Sequence, residues 1–162
     1  MKRILLFFLL LMAIAMQGKE NFADAKADLA NIEASEYHKE KQVIENLFKQ
    51  RAALWNSVYD DINFIDKFEK ELQKLVADPL LAADLEAFEA AKNYPSDLDL
   101  VLDLKVIDID DVIYGRTKMN ASVKINWKMQ SVASYYYEEI DYKVILIKSD
   151  SSWKLYDFST IQ

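Results

Sequence analysis

Residues 95–109 read PSDLDLVLDLKVIDI, and within this stretch the spacing of apolar residues changes. Upstream, apolar residues recur every three or four positions. After Ser96, Leu98, Leu100, Leu102, Leu104 and Val106 alternate with Asp99, Val101, Asp103 and Lys105. A period of 3.6 makes a helical stripe, and a period of 2 puts alternate side chains on opposite faces of a strand. The stretch therefore divides the chain into a helical first part and a strand-built second part. Near Val106 the apolar phase slips to Ile107 and Ile109, which predicts a β-bulge and a curved sheet.

Downstream, Met119, Ala121, Val123, Ile125, Trp127 and Met129 alternate with Lys118, Asn120, Ser122, Lys124, Asn126 and Lys128. One face of this strand is buried and the other is wet. A third strand is predicted over about 134–148, with Ile140, Tyr142, Val144 and Leu146 on one side. Ser149-Asp150-Ser151-Ser152 then turns into a last strand, Trp153 to Thr160. Three consecutive antiparallel connections make a four-stranded meander.

Upstream, residues 21–94 contain no Gly and are rich in Ala, Glu, Lys and Leu. Val43, Ile44, Leu47, Phe48, Leu54, Trp55 and Val58 form one stripe, and Ile62, Ile65, Phe68, Leu72, Leu75 and Val76 continue it. Asn56-Ser57 and Asp60-Asp61 mark a break between two helices. Asp78-Pro79 reads as an N-cap and first helical residue for a third helix with Leu81, Leu85 and Phe88 inward, and Pro95 ends it. The fold class is α+β, with N-terminal helices packed on a curved four-stranded antiparallel sheet.

The chain has 162 residues, 52% hydrophobic and 12% aromatic, with two Gly, two Pro and no Cys. That suits one globular domain and excludes collagen, disordered tails and disulfide scaffolds. Without Cys there is no thiolate nucleophile, Cys-ligated zinc, iron–sulfur cluster or lipoprotein acylation. The formal charge is −7, with both signs mixed along the chain, so no basic face exists to neutralise phosphates and nucleic acid is not an expected partner.

Met1-Lys2-Arg3 precedes a 13-residue apolar run from Ile4 to Met16, followed by polar and small residues. That is the layout of a secretory signal peptide over 1–18. The run is shorter than the roughly 20 residues a membrane span needs, so no permanent span is expected after cleavage. Ala13-Ile14-Ala15 and Ala23-Asp24-Ala25 are both small-x-small cleavage options. Removing Lys2 and Arg3 leaves 18 basic against 27 acidic residues, a net −9. Residues 19–37 read as a helical or flexible extension and 38–162 as the folded domain.

The last hairpin, YKVILIKSDSSWKLYDF from Tyr142 to Phe158, resembles the closing hairpin of the NTF2-like (cystatin-like, cone-shaped) superfamily. In that hairpin an apolar strand, a polar turn and a Trp-Lys-aliphatic-x-Asp strand recur. The order of elements is similar over roughly the last 120 residues: helices at about His38–Asn56 and Asp61–Leu75, a third helix, then long bent strands. The resemblance implies a hollow cone in which helices and the concave sheet face enclose a pocket. Its candidate lining residues are Trp55, Phe64, Phe68, Met119, Val123, Trp127, Tyr142 and Leu146, with Asp157 and Tyr142 near the inward faces. Packing alone also explains apolar residues at this spacing. The resemblance further implies dimerisation through the outer sheet face, which the lysines of the second strand oppose unless an acidic partner meets them.

Enzymes of that superfamily place Asp, His or Tyr groups in the pocket. The single histidine, His38, stands beside Lys39 and Glu40 at a helix start, a solvated position. Asp108-Ile109-Asp110-Asp111 is the densest acidic cluster, without the spacing or glycine of an EF-hand. Tyr135-Tyr136-Tyr137 offers an interface patch, and Asn120-Ala121-Ser122 is a glycosylation sequon placed mid-strand. No phosphate loop, Ser-His-Asp order, paired zinc ligands or dinucleotide fingerprint occurs, so no catalytic residue, metal or cofactor is assigned. The expectation is an exported, non-enzymatic accessory or binding domain of a bacterial periplasm or cell envelope, its partner an envelope protein or a small apolar ligand. The alternative is a periplasmic carrier of a lipid or other small apolar molecule.

Overall fold

The computed structural model describes residues 37–57, 65–93 and 99–161. The signal segment 1–18, nearly all of 19–37, and Phe64 lie outside the described residues. Helices α1 (His38–Asn56), α2 (Ile65–Leu75) and α3 (Leu80–Asn93) precede strands β1 (Leu100–Tyr114), β2 (Lys118–Gln130), β3 (Tyr135–Ser149) and β4 (Ser152–Thr160). The strands pair antiparallel in the order β1-β2-β3-β4. This is the expected α+β meander.

α1 buries Ile44, Leu47, Phe48 and Ala52, residues three or four apart that share one face. That face meets the inner side of the sheet, where Leu104, Val106, Ile125, Val144 and Leu146 form the floor of the core. Phe68 of α2 and Phe88 of α3 stack at 3.8 Å, and Trp55 of α1 stands edge-on to both. Helix α3 starts one residue later than expected. Pro79 lies in the turn, and its carbonyl accepts the Ala83 N–H at 3.3 Å, so Pro79 rather than Asp78 is the capping position.

Two devices close the sheet edges. On β4, the Ala77 N–H donates to the Leu155 carbonyl at 2.8 Å and Lys154 Nζ donates to the Gln73 carbonyl at 2.7 Å. On β1, α1 side chains stand in for a missing fifth strand. Asn56 Nδ2 donates to the Val101 carbonyl at 2.7 Å, and its Oδ1 accepts the Val101 N–H at 3.1 Å. Glu45 accepts the Val106 N–H at 3.0 Å, and Lys41 Nζ donates to the Ile107 carbonyl at 2.8 Å. Lys49 adds an ion pair to Asp103 at 3.4 Å, and Glu40 accepts the Tyr114 hydroxyl proton.

The alternation on β1 departs from expectation. The register to β2 shifts three times, between Val101 and Asp103, Val106 and Asp108, and Asp110 and Ile113. The shift at Val106 matches the expected slip, but an earlier one turns Leu102 outward to 43% exposure, while Leu104 stays at 2%. Ile107 also faces outward and Ile109 inward. On β4, Ile145 pairs with Asp157 and Leu146 with Leu155, so Tyr156 is a bulged extra residue. Strict alternation from Leu155 would put Asp157 inside; the bulge reverses the phase, exposing Asp157 and turning Phe158 in.

This phase assignment predicts unequal costs for two neighbouring leucines. Leu104→Ala should lower unfolding free energy by about 2–5 kcal/mol, and Leu102→Ala by no more than about 1 kcal/mol. Urea denaturation of both variants measures the difference, and equal losses would mean the first bulge is misplaced.

Candidate functional site

β2 and β3 carry Trp127 and Tyr142 on the inner face, the β4 bulge supplies Phe158, and α1 supplies Phe48 and Trp55. These five rings line a cavity of about 310 Å³. Phe48 lies 5.1 Å from Phe158 and 6.0 Å from Trp127, and Tyr142 lies 5.8 Å from Phe158, mostly edge to face. Ala52 and Val101 complete the apolar wall.

Three polar side chains join them. Asn56 reaches the cavity while its amide holds both backbone groups of Val101, so the helix-to-strand tie is also part of the wall. Arg51 forks onto Asp84 of α3, its Nε donating at 2.8 Å and its Nη2 meeting the second carboxylate oxygen. Its guanidinium also lies 5.1 Å from the Phe158 ring centre. Asp84 is 3% exposed, so the Arg51 charge is answered inside the protein. Asp99 accepts the Tyr136 hydroxyl proton at 2.7 Å, and this carboxylate holds the Tyr136 pKa above 10.0.

Tyr142 is 7% exposed, and burial pushes its pKa above 10.0. The nearby Trp127 indole and Arg51 act the other way, and Glu138 adds to the rise. At neutral pH Tyr142 is a neutral phenol, able to donate a hydrogen bond but not poised as a base. The indole Nε1 atoms of Trp55 and Trp127 are buried; that of Trp127 is turned to the Tyr142 hydroxyl, and that of Trp55 meets no acceptor among the described residues.

Of the residues singled out in the sequence, Trp55, Trp127 and Tyr142 line this cavity. Phe68, Met119, Val123 and Leu146 sit in the packed core instead, and Asp157 is exposed on the outer side. Arg51, Asn56, Asp99 and Phe158 are lining residues that the apolar pattern did not single out, and Phe48 belongs to the α1 stripe but is not among the lining candidates. Asp84 carried a signal: it stands one turn before Phe88 on the inward side of α3, and an acid there needs a buried partner.

The remaining sequence features stay at the surface. Tyr135 and Tyr137 are exposed, and Tyr136 is half-buried against Asp99. Asp108 accepts the N–H of Ile109, and Asp111 has φ 51° and meets the Ser122 hydroxyl at 3.4 Å. Among the described residues no group of three or more acidic or histidine side chains is arranged to hold a metal ion. Asn120 is exposed in mid-β2, and His38 opens α1. Two lysines of β2 stand opposite acids in the sheet, Lys128 opposite Asp103 and Lys124 between Asp108 and Asp141, while Lys118 lies over the Tyr156 ring at 4.1 Å.

Two measurements follow from the polar wall. Asp84→Ala leaves the Arg51 charge uncompensated and should cost about 3–5 kcal/mol, whereas the double variant Arg51→Met, Asp84→Leu should recover most of that loss; denaturation midpoints of both decide it. Because the folded pKa of Tyr142 is raised, its contribution is fully present below about pH 10 and is lost as pH rises through the folded value. Unfolding free energy should therefore fall above pH 10, and less steeply in Tyr142→Phe.

No known protein family matches the chain, and no curated protein is significantly similar to it. Among solved structures, the chain is similar to the intermembrane space region of the chloroplast protein ARC6, with 11% identity and a TM-score of 0.49, over 75% of this chain and 95% of that one. It is also similar to a SEC-C motif containing protein from Rhodopseudomonas palustris, with 12% identity and a TM-score of 0.40, over 75% and 91% of the two chains. A further similarity is to an NTF2-like protein of unknown function from Prochlorococcus marinus, with 14% identity and a TM-score of 0.39, over 48% of this chain and 62% of that one.

Proposed function

We propose that this chain is an exported, non-enzymatic domain of the NTF2-like kind that binds a compact, largely apolar small molecule between α1 and the concave face of the sheet. The observation that carries the reading is the cavity itself. Five aromatic rings converge on it and leave about 310 Å³ open, while Phe68 and Phe88 a few ångströms away are packed to contact. Small-molecule sites are of order 300–1,000 Å³, apolar, with a few polar groups. This one lies at the lower end, which suits a compact ligand better than a two-chain lipid.

The outer sheet face is the competing surface for an envelope partner. Lys124 of that face pairs with Asp141 at 3.5 Å and Lys128 stands opposite Asp103, so part of its positive charge is answered within the sheet. Export to the periplasm or cell envelope is supported by the charged start, the short apolar run and the small residues after it.

Native mass spectrometry of the full chain expressed in a Gram-negative host, recovered from the periplasm without detergent, tests both halves. A species shortened at the N-terminus and carrying a stoichiometric small molecule is expected. Retention of the unprocessed chain in the cytoplasm would overturn export. An empty protein that takes up no small aromatic probe at millimolar concentration would overturn the pocket.

A further inference from the structure

Four rings of the cavity wall stand at steep angles to one another. Phe48 is turned 77° to Trp127 and 64° to Phe158, and Tyr142 is turned 72° to Trp127 and 77° to Phe158. Rings set this way wall a space from several sides, and each aromatic face carries a negative quadrupole that attracts a cation. The protein already uses one wall so: the Arg51 guanidinium lies 5.1 Å from the Phe158 ring centre. Asp84 answers that charge, so the Arg51–Asp84 pair adds no net charge to the wall.

The carboxylates beside the cavity favour the same sign of guest. Asp99 lines it and accepts the Tyr136 hydroxyl proton. Glu138 alternates with Tyr136 and Tyr142 on β3 and stands opposite Trp127. Burial is the first reason that the Tyr142 pKa is raised, and of the two charges felt at its hydroxyl Glu138 outweighs Arg51. In sequence, 57–64 after Asn56 (SVYDDINF) and 94–98 before Asp99 (YPSDL) hold three Asp and no Lys, Arg or His. An anion in the cavity meets Asp99 and Glu138 unfavourably, and a neutral molecule gains no charge interaction from them.

Resting on the pocket reading above, we infer that the ligand is a cation, a compact apolar frame carrying an alkylated ammonium, held among the aromatic walls with Asp99 and Glu138 as its counter-charges. A primary ammonium has three N–H donors that need acceptors, which ring faces replace poorly. A quaternary ammonium has no donor to satisfy and a surface of methyl groups, and aromatic boxes suit it for that reason.

Three probes share a phenyl ring and a branched head of nearly one size and differ in charge: phenyltrimethylammonium, 2-phenylpropan-2-ol and 2-methyl-2-phenylpropanoate. Binding is read by the indole resonances of the full chain, which has three Trp. Trp153 packs against Tyr114 at 6.4 Å, does not line the cavity, and serves as the internal control. The ammonium should bind about tenfold more tightly than the alcohol, with its N-methyl protons moved upfield by the surrounding rings, and the carboxylate most weakly. In the double variant Asp99→Asn, Glu138→Gln the preference for the ammonium, with the alcohol as reference, should fall at least about threefold. Phosphatidylcholine vesicles, which offer a quaternary ammonium as a lipid headgroup, should leave both cavity indoles unmoved.

The alcohol binding as tightly as the ammonium, or an unchanged preference in the double variant, would overturn the charge and leave the pocket standing. A preference for the carboxylate would overturn its sign. A response to the vesicles would overturn a free ligand in favour of a headgroup. No shift at either cavity indole with any probe would remove the pocket and this inference together. The comparison of probes on the unaltered chain stands even where the double variant does not fold.

Discussion

A four-stranded open sheet leaves two rows of backbone N–H and C=O groups without strand partners, and every other feature of this molecule follows from how those rows are met. On β4 the segment between α2 and α3 does it with the Ala77 N–H, which donates to the Leu155 carbonyl. On β1 the answer comes from α1, whose Lys41, Glu45 and Asn56 bond the strand's backbone directly. These residues, with Lys49, recur at about helical spacing beside the apolar stripe of Ile44, Phe48 and Ala52. Helix α1 thus lies where a polar seam along β1 and an apolar stripe over the sheet are satisfied together. Their positions along β1 run backwards as α1 runs forwards, from Ile107 to Val101, so helix and strand are antiparallel. The helix cannot slide inward to fill the space over Trp127 and Tyr142 without breaking that seam.

The seam explains what the sequence does and does not reveal. Period changes are local, so the switch after Ser96, the clean alternation of β2 and the turn at Ser149–Ser152 are readable from neighbouring residues alone. The α1 range follows from its stripe in the same way. Bulges are different: they depend on which partner residue a strand residue faces. Leu102 and Asp157 are the positions where strict alternation fails, each beside a register shift. Asn56 reads as a helix terminator, and it is one, but its second task of capping Val101 involves a residue 45 positions away. Nothing in the local pattern encodes that distance.

The Arg51–Asp84 pair shows a second kind of constraint. Burying both charges is costly, and a pair of apolar side chains would serve stability as well or better. What the pair adds is direction: a forked guanidinium fixes the angle at which α3 meets α1, which the non-directional apolar contact of Trp55 with Phe88 does not. It also leaves the cavity wall at Arg51 polar yet without net charge. The helices are thereby locked to one another on the side facing away from the seam, and the opening between Phe48 and Trp127 is bounded on both sides by polar ties rather than by apolar contacts that could collapse.

Whether that opening is a functional hollow or slack packing turns on which side chains surround it. Among the apolar residues first chosen by spacing, Phe68, Met119, Val123 and Leu146 carry no hydrogen-bond donor, and all four are in the packed core. Trp55, Trp127 and Tyr142 each carry one, and all three line the cavity. Spacing alone makes no such distinction, since all seven belong to the same apolar stripes. Amphipathic aromatics collect where an apolar body and a polar end are both needed. Phe48, Ala52, Val101 and Phe158 complete the lining with apolar surface, so the cavity pairs an apolar body with a few polar ends. The sorting by donor, within a set selected only for hydrophobicity, is what a site for a polar-tipped apolar molecule requires and what a filled core would eliminate.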